Sequence, residues 1–163
     1  MHETINRLRA KKGDEGFTLI ELLVVVVIIG VLVAIAVPVY LNYRKGAADK
    51  SAQSDVRGAV SAVEQFYTDN GNVYPDTQSG TNDGSSTGVS SLTLNSATVT
   101  GATTQVITLS DKTQLGYVKN SDGSYLLCGN NTGGTTDKWY IYNSANGGSV
   151  KAASKKLTLT TCV

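Results

Sequence analysis

Residues 17–41 read FTLIELLVVVVIIGVLVAIAVPVYL, and this apolar stretch decides the fold. Leu22 to Val37 carries no polar side chain, and Glu21 is the only residue of the stretch that is charged at neutral pH. At about 1.5 Å per residue, a helix of this length crosses a hydrocarbon core about 30 Å thick. The sequence therefore predicts that residues 17–41 form a membrane-spanning helix.

A short hydrophilic segment, residues 1–16, precedes the apolar stretch. It carries four basic residues against three acidic ones. Because Lys and Arg beside a span are retained on the cytoplasmic side, we expect the remainder of the chain to lie outside the membrane. Arg44 and Lys45, which follow the span, favour the opposite orientation and weaken this inference.

Residues 42–70 change from uniformly apolar to amphipathic. The exposed face is predicted to carry Lys50, Asp55, Arg57 and Glu64. Asn70-Gly71 supplies the left-handed residue that commonly ends a helix. One helix is therefore predicted to continue from the span to about Asn70. Its apolar side chains recur at spacings of three and four, as on one helix face: Ala48, Ala52, Val56, Ala59, Val60, Val63, Phe66 and Tyr67.

Gly30 and Pro38 lie within the apolar stretch and weaken its helical pattern. Proline removes a backbone donor and crowds the carbonyl group four residues earlier, which here belongs to Ala34. We therefore expect a kink or a locally loosened turn between Gly30 and Pro38.

Residues 71–163 contain short apolar runs separated by turn signals, which is the pattern of a small antiparallel sheet. The dipeptide Asp122-Gly123 should connect strands at Tyr117-Val118 and Tyr125 to Leu127 in a hairpin. The fold class predicted from the whole sequence is α+β, with the amphipathic half of a long N-terminal helix packed on this sheet.

Two further strands are predicted towards the end of the chain, at Trp139 to Tyr142 and at Leu157 to Thr160. A turn at Asn146 to Gly148 separates them. Thr77 to Thr104 is dominated by Ser, Thr, Gly, Asn and Ala, and we expect it to cover the sheet as a loop or as weak strands.

Cys128 and Cys162 are the only cysteines in the sequence. In a segment expected outside the membrane, a disulfide is the default interpretation. Closing the 128–162 loop, which has about 35 residues, would stabilise the domain by about 3 to 4 kcal/mol through chain entropy. Two thiols without a nearby histidine or a second cysteine pair leave a zinc ion half-coordinated, so no metal site is expected.

The sequence does not favour catalysis. The sole histidine, His2, lies in residues 1–16, so no nucleophile in the outer part of the chain has a histidine base. Asp76, Asp83 and Asp122 occur in turn-like sequences, and turn formation explains them better than paired-carboxylate chemistry. The net charge of +1 argues against a broad nucleic-acid-binding surface. We expect neither an enzyme nor a cofactor, and nucleic acid as a partner only through DNA uptake.

Glu21 resists explanation as part of a lone transmembrane helix, where its charge has a cost and no use. Residues 11–25, KKGDEGFTLIELLVV, resemble the class III signal of type IV pilins and type II secretion pseudopilins. The resemblance continues through the span with Gly30 and Pro38, and through Phe66-Tyr67, Gly71 and Tyr74-Pro75. Residues 71–163 otherwise resemble pilins only in their β pattern and late cysteine pair.

The resemblance implies that a membrane prepilin peptidase cleaves after Gly16 and methylates the new amine of Phe17, which makes residues 1–16 a leader. Glu21 of one subunit would then meet the Phe17 ammonium of a neighbour in the filament core. Such a pair would disfavour wrong staggers between subunits more than it would add stability.

The same resemblance implies a set of partners and a location. The partners are copies of the chain in a helical filament, the prepilin peptidase, the pilus assembly machinery, and membrane lipid before assembly. The subunit would be a single-pass protein of the cytoplasmic membrane, with its C-terminal domain outside, and later part of a surface pilus.

Within this family the sequence favours a major pilin. Glu21 argues against the tip-located minor component, and the late disulfide loop resembles pilins more than the calcium-binding major pseudopilins. The alternatives are a minor pilin, a pseudopilin of type II secretion or DNA uptake, and a membrane-anchored binding module that does not polymerise. Ala34-Ile35-Ala36 also resembles an ordinary signal-peptidase site, which would give a secreted protein. Twitching, adhesion, DNA uptake and electron transport stay open as roles of a filament.

Overall fold

The computed structural model describes residues 16–85 and 90–163. The predicted leader therefore lies outside the described residues, except for Gly16. The chain divides into two compact units, Met1–Tyr40 and Leu41–Val163, and each is described by itself.

One helix, α1, extends over Leu19–Asp69 and contains Pro38. Its helical conformation is unbroken from Gly30 through Pro38, so the proline does not end the helix. The kink at this position stays a prediction. Helix α1 is long and apolar enough to cross a membrane, and its most apolar window has no buried residue.

The second half of α1 packs on the sheet through the predicted apolar face. Ala48, Val60 and Tyr67 are half-buried at the edges of this face. The predicted amphipathic pattern is confirmed, with one addition, Asp49, which is also buried. The fully buried apolar side chains are Ala52, Val56, Ala59, Val63 and Phe66.

Helix α1 ends as the Asn70-Gly71 signal indicates. Gly71 has a φ of 65°, in the left-handed region that glycine adopts without strain. The N–H group of Asn72 donates to the carbonyl oxygen of Tyr67 at 2.9 Å. This bond closes a Schellman-type turn and satisfies a carbonyl group that the helix leaves unpaired.

The rest of the described chain is antiparallel β structure. A five-stranded sheet has the order β1-β4-β5-β6-β7, and β2 and β3 form a separate two-stranded sheet. All neighbouring strands are antiparallel. The strands are β1 (Gln78–Thr81), β2 (Ser91–Leu94), β3 (Gln105–Thr108), β4 (Thr113–Lys119), β5 (Tyr125–Asn131), β6 (Tyr140–Asn143) and β7 (Lys151–Ala152).

Strands β4 and β5 form the predicted hairpin, with Lys119 opposite Tyr125. The Asp122 carboxylate accepts hydrogen bonds from the N–H and hydroxyl groups of Ser124 at 2.8 and 2.6 Å. Gly123 has a φ of 83°. The turn therefore forms through an aspartate that bonds the backbone two residues on and a glycine that accepts a positive φ.

The two faces of this hairpin have different coverings. Leu115, Tyr117, Tyr125 and Leu127 belong to the main core, together with the buried residues of α1. Gly129 lets the helix approach closely, since a Cβ atom there would lie 2.9 Å from Cγ2 of Val56. The opposite face carries a second cluster, formed by Cys128, Trp139, Leu157 and Cys162.

The strand predicted at Leu157 to Thr160 is wrong. This segment is not in a strand; the N–H of Cys162 donates to the Thr158 carbonyl oxygen at 2.8 Å in a local turn. The carbonyl oxygen of Leu159 lies against Gly116, where a Cβ atom would clash with it. The disulfide and the second cluster therefore hold the segment across the sheet face instead of at its edge. The last strand is β7, which pairs with β6.

The Ser/Thr-rich stretch from Thr77 to Thr104 is more regular than a loop. β1 adds to the edge of the main sheet by pairing with β4, and β2 pairs with β3. The prediction of weak strands is thus confirmed for Gln78–Thr81 and Ser91–Leu94. Their placement depends on partners far away in sequence, which composition does not reveal.

Candidate processing and assembly surface

Gly16 and Phe17 lie before the first residue of α1 and are both exposed. The Phe17 side chain is 79% exposed, and a Cβ atom built on Gly16 would meet no atom within 4 Å. The described chain therefore leaves room for a larger residue at position 16.

Thr18 and Glu21 form a reciprocal cap at the start of α1. The N–H and hydroxyl groups of Thr18 donate to Oε2 of Glu21 at 2.9 and 2.7 Å. In return, the N–H of Glu21 donates to the Thr18 hydroxyl oxygen at 3.3 Å. Because α1 begins at Leu19, Thr18 is the N-cap and Glu21 the third helical residue, as in a capping box.

This geometry corrects the expectation that Glu21 has no use in a lone helix. Its carboxylate satisfies backbone and side-chain donors of its own chain, and an acidic residue also suits the positive end of the helix dipole. Cleavage before Phe17 would leave these bonds intact, since Thr18 keeps its amide. The pairing of Glu21 with Phe17 of a neighbour stays a prediction.

The first half of α1 presents apolar side chains on all sides. Their exposed fractions range from 48% at Val24 and Val37 to 83% at Leu19. A soluble monomer rarely leaves so long a contiguous apolar surface in water. This surface must be covered by lipid or by other protein. Its large members are Phe17, Leu19, Ile20, Leu22–Ile29, Val31–Val33, Ile35, Val37, Val39–Leu41 and Tyr43.

Asp49 is a buried carboxylate that joins the second half of α1 to the loop before β6. It accepts hydrogen bonds from the N–H and hydroxyl groups of Thr135 at 2.8 and 2.7 Å. Nζ of Lys138 lies 3.0 Å from its Oδ2. Burial by itself would raise the pKa of Asp49, but the bonds from Thr135 and Lys138 outweigh it and hold this pKa below the ordinary value.

Sequence reasoning missed Asp49, although a signal was present. Positions 49, 52, 56, 59, 63 and 66 are the buried ones, and they follow one stripe at spacings of three and four. A carboxylate on an otherwise apolar stripe indicates a buried polar contact, because an unpaired buried charge is costly.

Two more acidic side chains of α1, both predicted on its exposed face, form hydrogen bonds with the sheet and its loops; Asp55 is half-buried, whereas Glu64 is exposed as predicted. Asp55 accepts hydrogen bonds from the N–H and hydroxyl groups of Ser110 at 2.7 and 2.9 Å. Glu64 accepts one from the Tyr125 hydroxyl at 2.6 Å. Burial and this bond to Glu64 raise the pKa of Tyr125. These carboxylates hold α1 in one register on the sheet, in addition to the apolar core.

Tyrosines cluster where α1 ends against the sheet. The ring of Tyr74 stacks on Tyr67 with centroids 4.3 Å apart, and Tyr125 contacts the rings of Tyr74, Tyr117 and Tyr142 at 5.1 to 5.8 Å. Tyr117 and Tyr125 are fully buried. The cluster is thus part of the packing between helix and sheet.

The predicted disulfide between Cys128 and Cys162 is present, with 5.5 Å between the Cα atoms. Both residues are buried. The bond fixes the C-terminal segment to β5, on the sheet face opposite α1. The two cysteines are 34 positions apart in the sequence, so their bond closes the predicted 128–162 loop.

Comparison with known proteins supports the interpretation of these features. The family description "Prokaryotic N-terminal methylation motif" matches residues 11–37, which include Gly16, Phe17 and Glu21. The chain is 30% identical to fimbrial protein EcpC of Eikenella corrodens over 136 residues, which cover 83% of this chain and 87% of that protein. It is 32% identical to a fimbrial protein of Neisseria meningitidis over 149 residues, covering 82% and 86% of the two chains.

A second group of relatives matches a shorter part of the chain. The type II secretion system core protein G of Aeromonas hydrophila is 37% identical over 70 residues, which cover 43% of this chain and 48% of that protein. Similarity to fimbrial proteins thus covers most of the chain, whereas similarity to this secretion protein covers less than half. The chain belongs to the type IV pilin family, whose N-terminal methylation motif it shares with the type II secretion pseudopilins.

Proposed function

We propose that this chain is a major subunit of a type IV pilus, matured by cleavage between Gly16 and Phe17 and by methylation of Phe17. The observation that carries the proposal is the exposed apolar surface of the first half of α1, with Phe17 just before the helix and Glu21 in its first turn. It needs a covering that lipid supplies before assembly and that other copies supply in the filament. The long match to fimbrial proteins favours a pilus subunit over a binding module that only uses a membrane anchor.

The proposed partners follow from this scheme. A prepilin peptidase would act on the exposed Gly16-Phe17 bond at the cytoplasmic face, and the assembly machinery would extract the subunit from the membrane. The unit Leu41–Val163 would face outwards in both states. Glu21 would pair with the Phe17 ammonium of an adjoining copy and set the stagger between subunits.

A pseudopilin is the second candidate, and the match to core protein G supports it. That match covers less than half of this chain, whereas the match to the fimbrial proteins covers more than four fifths. Filament imaging separates the two candidates. We expect surface filaments that disappear when this chain is deleted and return when it is restored. A strain that keeps normal filaments without the chain would contradict the major-pilin proposal.

The register role of Glu21 is tested by separating its charge from its capping bonds. Glutamine also serves in a capping box, so Glu21→Gln keeps much of the cap but removes the charge. We expect Glu21→Gln and Glu21→Val to leave insertion and cleavage intact and to lower filament yield by roughly tenfold or more, because the buried Phe17 ammonium loses its partner.

Thr18→Ala is the matched control, since it weakens the cap and keeps the charge. We expect it to retain most filaments. The measurement is the amount of subunit in sheared surface filaments, divided by the total amount of subunit in the cells, in a strain without other pilins. Normal filament yield from Glu21→Gln, or an equal loss from Thr18→Ala, would show that capping rather than charge pairing explains Glu21.

A further inference from the structure

A groove of about 420 Å³ lies between α1 and two loops of the sheet, within the second unit. Arg44 and Lys45 line it from the helix, and Lys112 lines it from the loop between β3 and β4. Leu41 and Ala48 add apolar surface. The fold thus brings three cations from two distant parts of the chain into one groove, whose volume lies within the range of small-ligand pockets, about 300 to 1,000 Å³.

Asp111 is the one carboxylate among the residues that line the groove. Asp55 is not among them, and it is bonded to Ser110, as described above. Within residues 16–85 and 90–163, no ion pair involves Lys45 or Lys112. With one carboxylate against three cations among its lining residues, the groove has an excess of positive charge and suits an anion.

The position of the groove along α1 indicates which anion. The apolar stretch ends at Leu41, and Arg44 and Lys45 follow it by three and four residues. At about 1.5 Å per residue, this is about 5 to 6 Å along the helix. The polar layer on each side of a bilayer is of similar thickness, since about 30 Å of hydrocarbon lies within about 40 to 45 Å in total. The groove therefore begins where headgroups lie.

We propose that this groove binds the phosphate headgroup of an anionic phospholipid while the subunit resides in the membrane. The guanidinium of Arg44 can donate two parallel hydrogen bonds to a phosphate, and the two lysines add point charges. Leu41, at the end of the apolar stretch, would contact the glycerol and the start of the acyl chains. The inference depends on the proposed function only in requiring a membrane-anchored stage.

The experiment uses the full chain reconstituted in phosphatidylcholine vesicles at a low protein-to-lipid ratio. Trace spin-labelled phosphatidylglycerol or spin-labelled phosphatidylcholine is added, and electron paramagnetic resonance gives the fraction of each lipid that the protein immobilises. We expect a preference for phosphatidylglycerol. Neutralising one groove cation should lower this preference by up to about fivefold.

Lys112→Gln is the decisive variant, because Lys112 is far from the span in sequence and reaches the groove only through the fold. Lys112→Arg should keep the preference, and Lys155→Gln, an equal charge change at an exposed site elsewhere, should not alter it. Unchanged fluorescence of the buried Trp139 verifies that the variants are folded. If Lys112→Gln and Lys155→Gln lowered the preference for phosphatidylglycerol equally, the preference would result from diffuse electrostatic attraction, and the proposed site in the groove would be wrong.

Two other outcomes would also overturn the proposal. Loss of the preference in millimolar inorganic phosphate would identify a site for free anions rather than for lipid. A preference that appears only at high protein density would assign the lipid site to a contact between copies rather than to the groove of a single chain. A chain that fails to insert counts against the membrane stage of the proposed function, whereas an inserted chain without lipid preference counts against the groove alone.

Discussion

The two halves of α1 differ in the exposure of their apolar side chains. In the first half, Val24 to Val27 and their neighbours are about half exposed or more, and polar contacts within the described chain are concentrated at the Thr18-Glu21 cap. In the second half, Val56 and Val63 are fully buried against the sheet. The same residue type is thus left exposed in one half and forms the core of a domain in the other.

Because of this difference, substitutions that affect domain stability should fall in a different part of α1 from those that affect assembly. The unit Leu41–Val163 contains an apolar core, a disulfide and an ion pair between the buried Asp49 and the partly exposed Lys138. The unit Met1–Tyr40 has none of these among its described residues. Changes in the first half of α1 should therefore affect processing and assembly, and changes in the second half should affect domain stability.

The largest effect on filament formation is expected from a substitution at the proposed cleavage site between Gly16 and Phe17. Gly16→Leu should leave uncleaved precursor in the membrane and abolish filaments, because the peptidase that the motif implies needs a small residue before the cut. The Leu41–Val163 unit should stay folded, since Gly16 has no neighbour within 4 Å of a Cβ position. Intact-protein mass spectrometry reads out cleavage and methylation of Phe17.

Gly16→Ala is the graded control, and we expect it to allow cleavage. A mature wild-type protein that begins at Val37 would instead indicate ordinary signal peptidase and contradict the filament proposal. Efficient cleavage of the Gly16→Leu chain would contradict the assigned processing site alone.

Loss of the disulfide should have the next largest effect and act on the second unit only. Replacing Cys128 and Cys162 together by Ser should lower the free energy of unfolding by about 3 to 4 kcal/mol. Urea unfolding of the full chain in detergent can be followed by Trp139, which lies in the same cluster. Membrane insertion should be unchanged. Alkylation of both thiols in native, unreduced protein would show that Cys128 and Cys162 are not joined by a disulfide.

A matched pair of valine substitutions compares the two halves directly. Val63→Ala should destabilise the domain by about 2 kcal/mol, because it leaves a cavity in a core where Val63 is fully buried. Val26→Ala should leave domain unfolding unchanged, since Val26 is 61% exposed. Its effect should appear in filament yield instead. Equal shifts in the urea midpoint for both variants would show that the two halves are not energetically separate.

The smallest of these effects on domain stability is expected at the ion pair between Asp49 and Lys138, and it should depend on pH. Asp49→Asn should cost about 1 to 1.5 kcal/mol at neutral pH, because it removes the charge and weakens the bonds from Thr135 and Lys138. The cost stays below that of a fully buried pair, since the Lys138 side chain is 41% exposed. Asp137→Asn is the control; its pair with Lys156 is exposed, at 3.8 Å, and should contribute less than about 1 kcal/mol.

The sign of the pH dependence follows from the lowered pKa of Asp49. A carboxyl group whose pKa is lower in the folded than in the unfolded state contributes stability above its ordinary pKa, about 3.9. This contribution is lost as pH falls through the folded value. The difference between wild type and Asp49→Asn should therefore shrink below about pH 4. A difference that is constant from pH 7 to pH 3 would contradict this assignment.

Much of the fold could be predicted because its signals are local. The apolar stretch, the Asn70-Gly71 stop and the Asp122-Gly123 turn each depend on residues within a few positions. The disulfide needed only the cysteine count and the expected location outside the membrane. Glu21 shows the limit of this reasoning, since its cost in lipid was clear but its bonds to Thr18 were overlooked.

The amino-acid sequence by itself determined the apolar half of α1, the amphipathic half, the main hairpin and the disulfide, because periodicity and turn chemistry act over short distances. Only the tertiary structure decided the partners of Asp49 and Asp55, the turn at Leu157 to Thr160 and the position of Lys112 in the same groove as Arg44. These contacts join residues far apart in the chain. Each depends on how the helix lies on the sheet, and that placement results from the packing of the whole core rather than from any one segment.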